Sequence, residues 1–389
     1  MHPKTVRILN RGEFEQLKNT IALRSKARNA LTNNPCYAAA TPADVSLQLT
    51  YRCNLRCKHC YQWNDKGSFH DMDHEQQKTE LPLNIIEKVL QETHTPNAKL
   101  FLWGGEPLMH SQFSEISKLL QRHPRTVIMC TNGILIKKKI DDLLAIGSHL
   151  NLLVSLDGLE SDHDALRGKG KFRQTIENIQ YLLNLKEEGR FQGEISLSCM
   201  VSESGVGKMY NFMEWAEQMC INTVYFQYPW FISPDVATNM DGYFRDKFCW
   251  MNVPSEKPTW HSYTYQLTES HLPLLRESLA KLASRPWRCR IRYQPQLEDD
   301  EIDDFIRGTS RPAQRRQQCL AVSNRLEVHA NGDVTSCKFF SEFVIGNLHD
   351  QSVDDIWHGP DFQKIRETLN REGLMPVCSK CILLYLNGV

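Results

Sequence analysis

The chain has 389 residues, in which 46 Lys and Arg are balanced by 46 Asp and Glu. That length exceeds one ordinary core, so a large domain plus a smaller one is expected, and the balanced charge gives no argument for a nucleic-acid or anionic-membrane partner. No apolar run approaches membrane-spanning length, the amino terminus lacks the apolar stretch of a signal peptide, and thirteen cysteines in such a chain point to metal binding in a reducing cytoplasm rather than to disulfides.

Residues 1–44 form an N-terminal segment. From 45 to 228, strand patterns at 45–50, 100–103, 126–131, 151–156, 195–201 and 223–227 alternate with helix patterns at 83–93, 113–121, 134–146, 173–185 and 208–219. This predicts an α/β architecture, a parallel sheet curled into a partial (βα)6 barrel of the TIM type, with functional residues in the loops after the strands. Over 229–318 the alternation stops and aromatic residues crowd in, among them Trp230, Phe231, Tyr243, Phe244, Phe248, Trp250, Trp260, Tyr263, Tyr265 and Trp287. Most are expected to fill a satellite core and a minority to line a substrate pocket, with one helix near 269–283. The acidic run 298–304, followed by Arg311, Arg315 and Arg316, reads as a solvated helix and linker. Residues 319–389 read as a small α+β extension, with two short strands joined at Asn331-Gly332 and a helix over 360–369.

The chemistry concentrates in Cys53, Cys57 and Cys60, directly after the first strand. One short loop there wraps three thiolates around a metal centre and leaves a fourth position uncovered. A closed zinc site wants four protein ligands, usually as two Cys-x-x-Cys pairs, and the nearest other cysteines are Cys36 and Cys130. Three soft ligands suit an iron-sulfur cube, with zinc or free thiols as alternatives. After the second strand comes Trp103-Gly104-Gly105-Glu106-Pro107, where glycines permit close backbone approach and the carboxylate can accept hydrogen bonds from an ammonium. Thr131-Asn132-Gly133 ends the third strand, and Ser155-Leu156-Asp157-Gly158 ends the fourth, followed by His163-Asp164 and Arg167.

The Cys-x3-Cys-x2-Cys spacing with His59 before the last cysteine, together with these strand-end motifs, resembles the radical SAM superfamily. The resemblance implies a [4Fe-4S] cluster on Cys53, Cys57 and Cys60 whose fourth iron chelates S-adenosylmethionine (SAM), and cleavage of SAM to a 5′-deoxyadenosyl radical. It further implies that Gly104, Gly105 and Glu106 hold the SAM amino group, Ser155 and Asp157 its ribose, and Arg167 its carboxylate. Ser198 is a further cofactor-side candidate, and Cys199 beside it is expected in the core. Cys319, Cys337, Cys378 and Cys381, with Gly332 five residues before Cys337, Gly346-Asn347-Leu348 and Ile356-Trp357, resemble the SPASM/twitch extension of radical SAM maturases. The full extension carries seven cysteines for two clusters; four imply one auxiliary [4Fe-4S] cluster ligated wholly by protein, with zinc as the alternative. Cys36, Cys130, Cys220, Cys249 and Cys289 lack partners at ligand spacing and are expected to be buried or surface thiols.

The implied reaction is hydrogen abstraction from an unactivated carbon, with net oxidation such as crosslinking or dehydrogenation in peptide natural-product maturation. The partners are a peptide or small-molecule substrate and an external electron donor such as flavodoxin or ferredoxin. About fifty residues precede the cluster loop, too few for a fused peptide-recognition domain, so recognition is expected from a separate protein or from 229–318. The alternatives are a dehydrogenase or epimerase for a sugar, aminocyclitol or nucleotide-derived substrate, the epimerase using a thiol such as Cys249 as hydrogen donor. From another class comes a non-catalytic iron-sulfur electron-transfer or scaffold protein, against which the Glu106 carboxylate speaks.

Overall fold

A computed structural model describes residues 4–6, 11–95, 98–251, 258–310 and 316–388. Its main sheet contains β1 (Asp44–Gln48), β2 (Lys99–Trp103), β3 (Thr126–Thr131), β4 (Leu150–Ser155), β5 (Glu194–Met200), β6 (Thr223–Gln227), β7 (Arg290–Gln294), β8 (Arg325–Val328), β9 (Asp333–Thr335) and β10 (Val344–Asn347). Their order across the sheet is β10-β9-β8-β1-β2-β3-β4-β5-β6-β7. All neighbours from β8 to β7 pair in parallel, and β9 is antiparallel to both β8 and β10.

β1 to β6 are the six expected strands of the partial barrel. Strands of such a sheet are buried on both faces, so they read as apolar runs. Helices cover one face with residues at helical spacing, such as Ile85, Ile86, Val89 and Leu90 of Leu83–Glu92 and Phe113, Ile116, Leu119 and Leu120 of Phe113–Arg122. Against them lie Leu47, Leu102, Met129, Val154, Leu197 and Phe226, all fully buried. Because side chains alternate along a strand, Gln48, Trp103, Cys130, Ser155, Ser198 and Gln227 stand on the other face, near the strands' C-terminal ends. Cys199 packs in the core as expected.

The sheet does not stop at the barrel. β7 comes from the aromatic region and extends the parallel sheet beyond β6, while the C-terminal hairpin lays β8 parallel against β1. The turn between β8 and β9 holds Gly332 at φ +84°, a conformation that favours glycine. Phe244, Phe248, Trp260, Tyr263 and Trp287 are buried in a core continuous with that of the barrel and of 319–388, rather than in a satellite. The helix near 269–283 spans Leu272–Ala283. In the acidic stretch, helix Ile302–Arg307 turns Ile302, Phe305 and Ile306 inward, so only one side is solvated; Arg311 and Arg315 lie outside the described residues. An unforeseen helix, Arg11–Asn33, exposes Phe14, Leu17 and Ile21. Beneath it, near the N-terminal ends of β1 to β3, lies a cleft of about 420 Å³ lined in part by Arg24, Asp44, Lys99 and Arg125. Among the described residues no helix is long and apolar enough to cross a membrane.

Candidate active site and its two cysteine sets

The loop after β1 carries Cys53, Cys57 and Cys60 and is fastened on three sides. The Lys58 N–H donates to the Leu166 carbonyl at 2.9 Å, Asn132 Nδ2 donates to Asn54 Oδ1 at 2.7 Å, and Trp63 Nε1 donates to the Tyr51 carbonyl at 3.0 Å. Two sulfurs already accept backbone N–H groups, Cys53 from Leu55 at 3.5 Å and Cys60 from Trp63 at 3.4 Å. Burial pushes the Cys53 thiol up to about 12 and the Cys57 thiol to about 11, Arg167 pulling the latter down. These thiols ionise only when a cation compensates, as a bound metal centre does.

Gly104-Gly105-Glu106 closes against the same loop. The Gly105 N–H donates to the Thr50 carbonyl at 2.8 Å and the Glu106 N–H to the Arg52 carbonyl at 2.7 Å. A Cβ on Gly105 would stand 2.2 Å from the Arg52 oxygen, so glycine is required by the approach itself. The Glu106 side chain, 1% exposed, accepts from Leu108 N at 3.1 Å, Thr131 Oγ1 at 2.8 Å and Asn132 N at 2.8 Å. Burial pushes its carboxyl up and these three donors pull it back. Glu106 therefore ties the ends of β2 and β3 together whatever else it binds. Glu106→Ala strands those donors, and the expected loss is about 2–4 kcal/mol of stability, read by denaturant titration, with Glu106→Gln losing less.

Asp157 and Arg167 form the other wall. Arg167 Nε donates to Asp157 Oδ2 at 2.6 Å, its Nη1 lies 3.7 Å from Cys57 Sγ, and its Nη2 lies 3.4 Å from His59 Nε2. Asp157 Oδ1 accepts the Met200 N–H at 2.9 Å. Burial would raise the Asp157 carboxyl, but Arg167 and His59 hold it down at about 2. The pair's contribution, about 2 kcal/mol, is complete above the ordinary 3.8 and is lost as pH falls toward 2. Asp157→Asn leaves the buried guanidinium without its anion, and an expected loss of about 3–5 kcal/mol at neutral pH should shrink in acid, where wild type loses the pair too. A constant difference down to pH 2 in urea titrations would contradict this.

The remaining sequence candidates divide. Ser155 stands near the C-terminal ends of the strands on the face away from the helices, the mouth of the partial barrel, and is hydrogen-bonded to Cys130, with Ser198 beside it in register. His163 accepts the Asp157 N–H at 3.2 Å and Asp164 accepts from Gly170 N and Phe172 N, so both hold the loop. Cys249 is exposed, whereas Cys130, left unassigned in the sequence, lies among Glu106, Arg167 and Lys338.

The second set is assembled by three separate pieces of chain. Cys319 bridges to Gly388, Cys337 follows β9, and Cys378 and Cys381 flank a tight turn in which the Cys381 N–H donates to the Cys378 carbonyl at 3.0 Å. Each thiol is pushed up by burial, and Cys319, Cys337 and Cys378 act on Cys381 electrostatically. Lys380, between the last two, donates to the Phe305 carbonyl at 2.8 Å, anchoring the turn to the aromatic region.

An aromatic strap joins the two sets. Tyr263 stacks on Tyr61, next to Cys60, with centroids 4.6 Å apart, and its hydroxyl donates at 2.9 Å to the carbonyl of Phe339, two residues after Cys337. Tyr265 meets His59 edge-on at 5.9 Å. Spacing did not single out these tyrosines within the aromatic run. Among the described residues no three His, Cys, Asp or Glu side chains close on a single metal ion. The fit therefore rests on donor chemistry: soft thiols in sets of three and four suit iron-sulfur cores, the first set leaving one iron for another ligand.

Comparison with known proteins agrees with this arrangement. Residues 47–192 match the Radical SAM superfamily and 319–382 an iron-sulfur cluster-binding domain, SPASM. The chain is 24% identical over 355 residues to the antilisterial bacteriocin subtilosin biosynthesis protein AlbA of Bacillus subtilis, covering 90% of this chain and 67% of that one. It is 24% identical to the AdoMet-dependent heme synthase of Methanosarcina barkeri, covering 87% and 88% respectively. Streptococcus suis SuiB shares the fold: its SAM-bound structure has a TM-score of 0.59 at 15% identity, over 93% of this chain and 75% of that one, and its structure with precursor peptide SuiA has 0.58 at 13%, over 94% and 74%. The two matched domains bring a SAM-binding [4Fe-4S] cluster and auxiliary iron-sulfur binding, and they fall on the two cysteine sets. The chain belongs to the radical SAM superfamily and carries a SPASM domain at its C-terminal side.

Proposed function

We propose that this chain is a radical SAM oxidase of a ribosomally made peptide, forming a crosslink or a dehydrogenated residue. The observation that carries the reading is the strap: Tyr263 touches the loop of one cysteine set and hydrogen-bonds to the loop of the other, which supports the two sets acting on one substrate. Cys53, Cys57 and Cys60 would hold a [4Fe-4S] cluster, which would supply the one-electron chemistry that turns SAM into a hydrogen-abstracting species. Gly104 and Gly105 would offer backbone at close approach to SAM, Glu106 would take its ammonium, Ser155 its ribose, and Arg167, held by Asp157, its carboxylate. Oxidation would require the substrate radical to lose an electron and a proton, and Cys319, Cys337, Cys378 and Cys381 would hold an iron-sulfur group able to accept that electron. Peptide chemistry is supported by the kinship with AlbA and by the fold of SuiB, which has been captured with its precursor peptide.

Two observations favour second readings. The heme synthase matches nearly end to end, which suits a small-molecule substrate. Cys130, a thiol in the mouth, suits a redox-neutral outcome in which hydrogen is returned to substrate. An electron-transfer protein is a weaker alternative, although Glu106 no longer argues against it alone because its carboxylate has a structural task. The deciding experiment is anaerobic incubation of reconstituted protein with SAM, reductant and candidate precursor peptides, following 5′-deoxyadenosine and peptide mass together. Loss of two hydrogens from the peptide is the expected result; deoxyadenosine with unchanged mass but inverted stereochemistry would favour Cys130, and no deoxyadenosine under any condition would sink the enzyme reading.

A further inference from the structure

Lys338 follows Cys337, and its side chain lies across β2, where the Cys130 and Cys381 thiols act on it. Its Nζ sits 3.6 Å from the Phe101 ring centroid, 5.0 Å from that of Trp103 and 5.9 Å from that of Phe339. Lys338 is half-buried, and aromatic faces stabilise its ammonium by about 0.5–2 kcal/mol without supplying an acceptor for its N–H groups. The usual remedy is a carboxylate, but among the described residues Lys338 has no hydrogen-bond or ion-pair partner. The acid that acts on it electrostatically, Glu327, holds Arg325 through Oε1 while its buried Oε2 has no partner, and the Cys130 and Cys381 thiols act on Lys338 as well. Two cations therefore share one protein carboxylate.

A buried atom beside Lys338 is unpartnered. Trp103 is 9% exposed, and its Nε1–H has no acceptor, although its ring is one of the walls around Lys338. Buried indole N–H groups ordinarily find a partner, so an empty one beside an unpaired ammonium marks missing acceptor chemistry. The location is equally specific. Trp103 immediately precedes Gly104-Gly105-Glu106, and Lys338 acts on Cys130 in the mouth.

We infer that Lys338 and Trp103 Nε1 bind a carboxylate of the substrate, so that the molecule processed here carries an acidic side chain or a free C-terminus close to the carbon that reacts. This deepens the proposed function, because it rests on the mouth being the substrate site. A carboxylate between Nζ and Nε1 accepts two hydrogen bonds, one of them charge-assisted, and brings the Arg325, Glu327 and Lys338 group to neutrality. Phe101 and Phe339 then exclude water from the pair, which favours a planar anion over a hydrated one.

The test uses the reconstituted holoenzyme under anaerobic conditions and three probes: acetyl-Ala-Glu-Ala-amide, with a side-chain carboxylate; acetyl-Ala-Ala-Ala, with a terminal one; and acetyl-Ala-Gln-Ala-amide, with none. Binding is followed by calorimetry in the presence of SAM. At least one acidic probe is expected to bind about tenfold more tightly than the neutral one, and which of the two wins identifies the source of the carboxylate. Lys338→Met should erase the preference, Lys338→Arg should keep it, and Trp103→Phe should weaken it, with iron content unchanged in each. Equal binding of all three probes to wild type, absence of binding at about 10 mM, or an undiminished preference in Lys338→Met overturns the inference. Substrate-free deoxyadenosine formation is measured on the same samples, so failure of the radical reading is seen separately from failure of the carboxylate site.

Discussion

Cys57→Ala is expected to abolish 5′-deoxyadenosine formation and to remove about four irons per chain, while the auxiliary set keeps its own. Cys57 is 7% exposed, and it is the cysteine that Arg167 approaches, at 3.7 Å from Nη1. Its loss leaves two thiols on a loop that already commits backbone donors to Cys53 and Cys60, and no other cysteine of the chain lies at ligand spacing to replace it. The substitution itself is small. Removing one buried sulfur should cost the apo fold only about 1–2 kcal/mol, so a folded protein with unchanged far-ultraviolet circular dichroism is expected. Iron analysis and electron paramagnetic resonance of the reduced protein then separate the two sets. A full iron load with normal deoxyadenosine yield would refute the assignment of Cys53, Cys57 and Cys60.

The legibility of this chain follows from the range of the interactions involved. β1 to β6 were readable because each strand carries an apolar row on its helix-facing side and is punctuated by its own helix. β7 was not, because Arg290-Ile291-Arg292-Tyr293-Gln294 presents only two apolar residues and stands in a region whose aromatics serve the common core. The cysteine sets were readable because metal ligation fixes residue type and spacing together. Asp157 and Arg167 were found as candidates, but their roles were not separable: ten residues apart in sequence, they meet at 2.6 Å, so the carboxylate orients the arginine. Tyr61 with Tyr263, and Trp103 with Lys338, depend on contacts between segments about 200 residues apart or more, and no local pattern encodes such contacts.

Cys378→Ala is expected to leave 5′-deoxyadenosine formation intact and to remove the oxidised product. The two sets are built on different elements, so the substitution need not disturb the loop after β1: Cys378 belongs to the turn Pro376–Lys380, which is tied through Lys380 to Phe305 and through Ser379 to Thr309. If the auxiliary set receives the substrate's electron, its disruption interrupts the reaction after hydrogen abstraction. Substrate should then be returned unchanged or as abortive products while SAM is still consumed. The ratio of deoxyadenosine to oxidised product is therefore the informative quantity, because a general folding defect lowers both together. Cys378→Ser serves as a check on packing, since it is close in volume but a poor ligand for iron, and it should behave as the alanine variant does. Oxidised product at normal yield in either variant would rule out the electron-acceptor role and leave the second set a purely structural clamp. Loss of deoxyadenosine as well would mean that the strap through Tyr263 conveys order from one loop to the other, making the two sets one structural unit rather than two steps of one reaction.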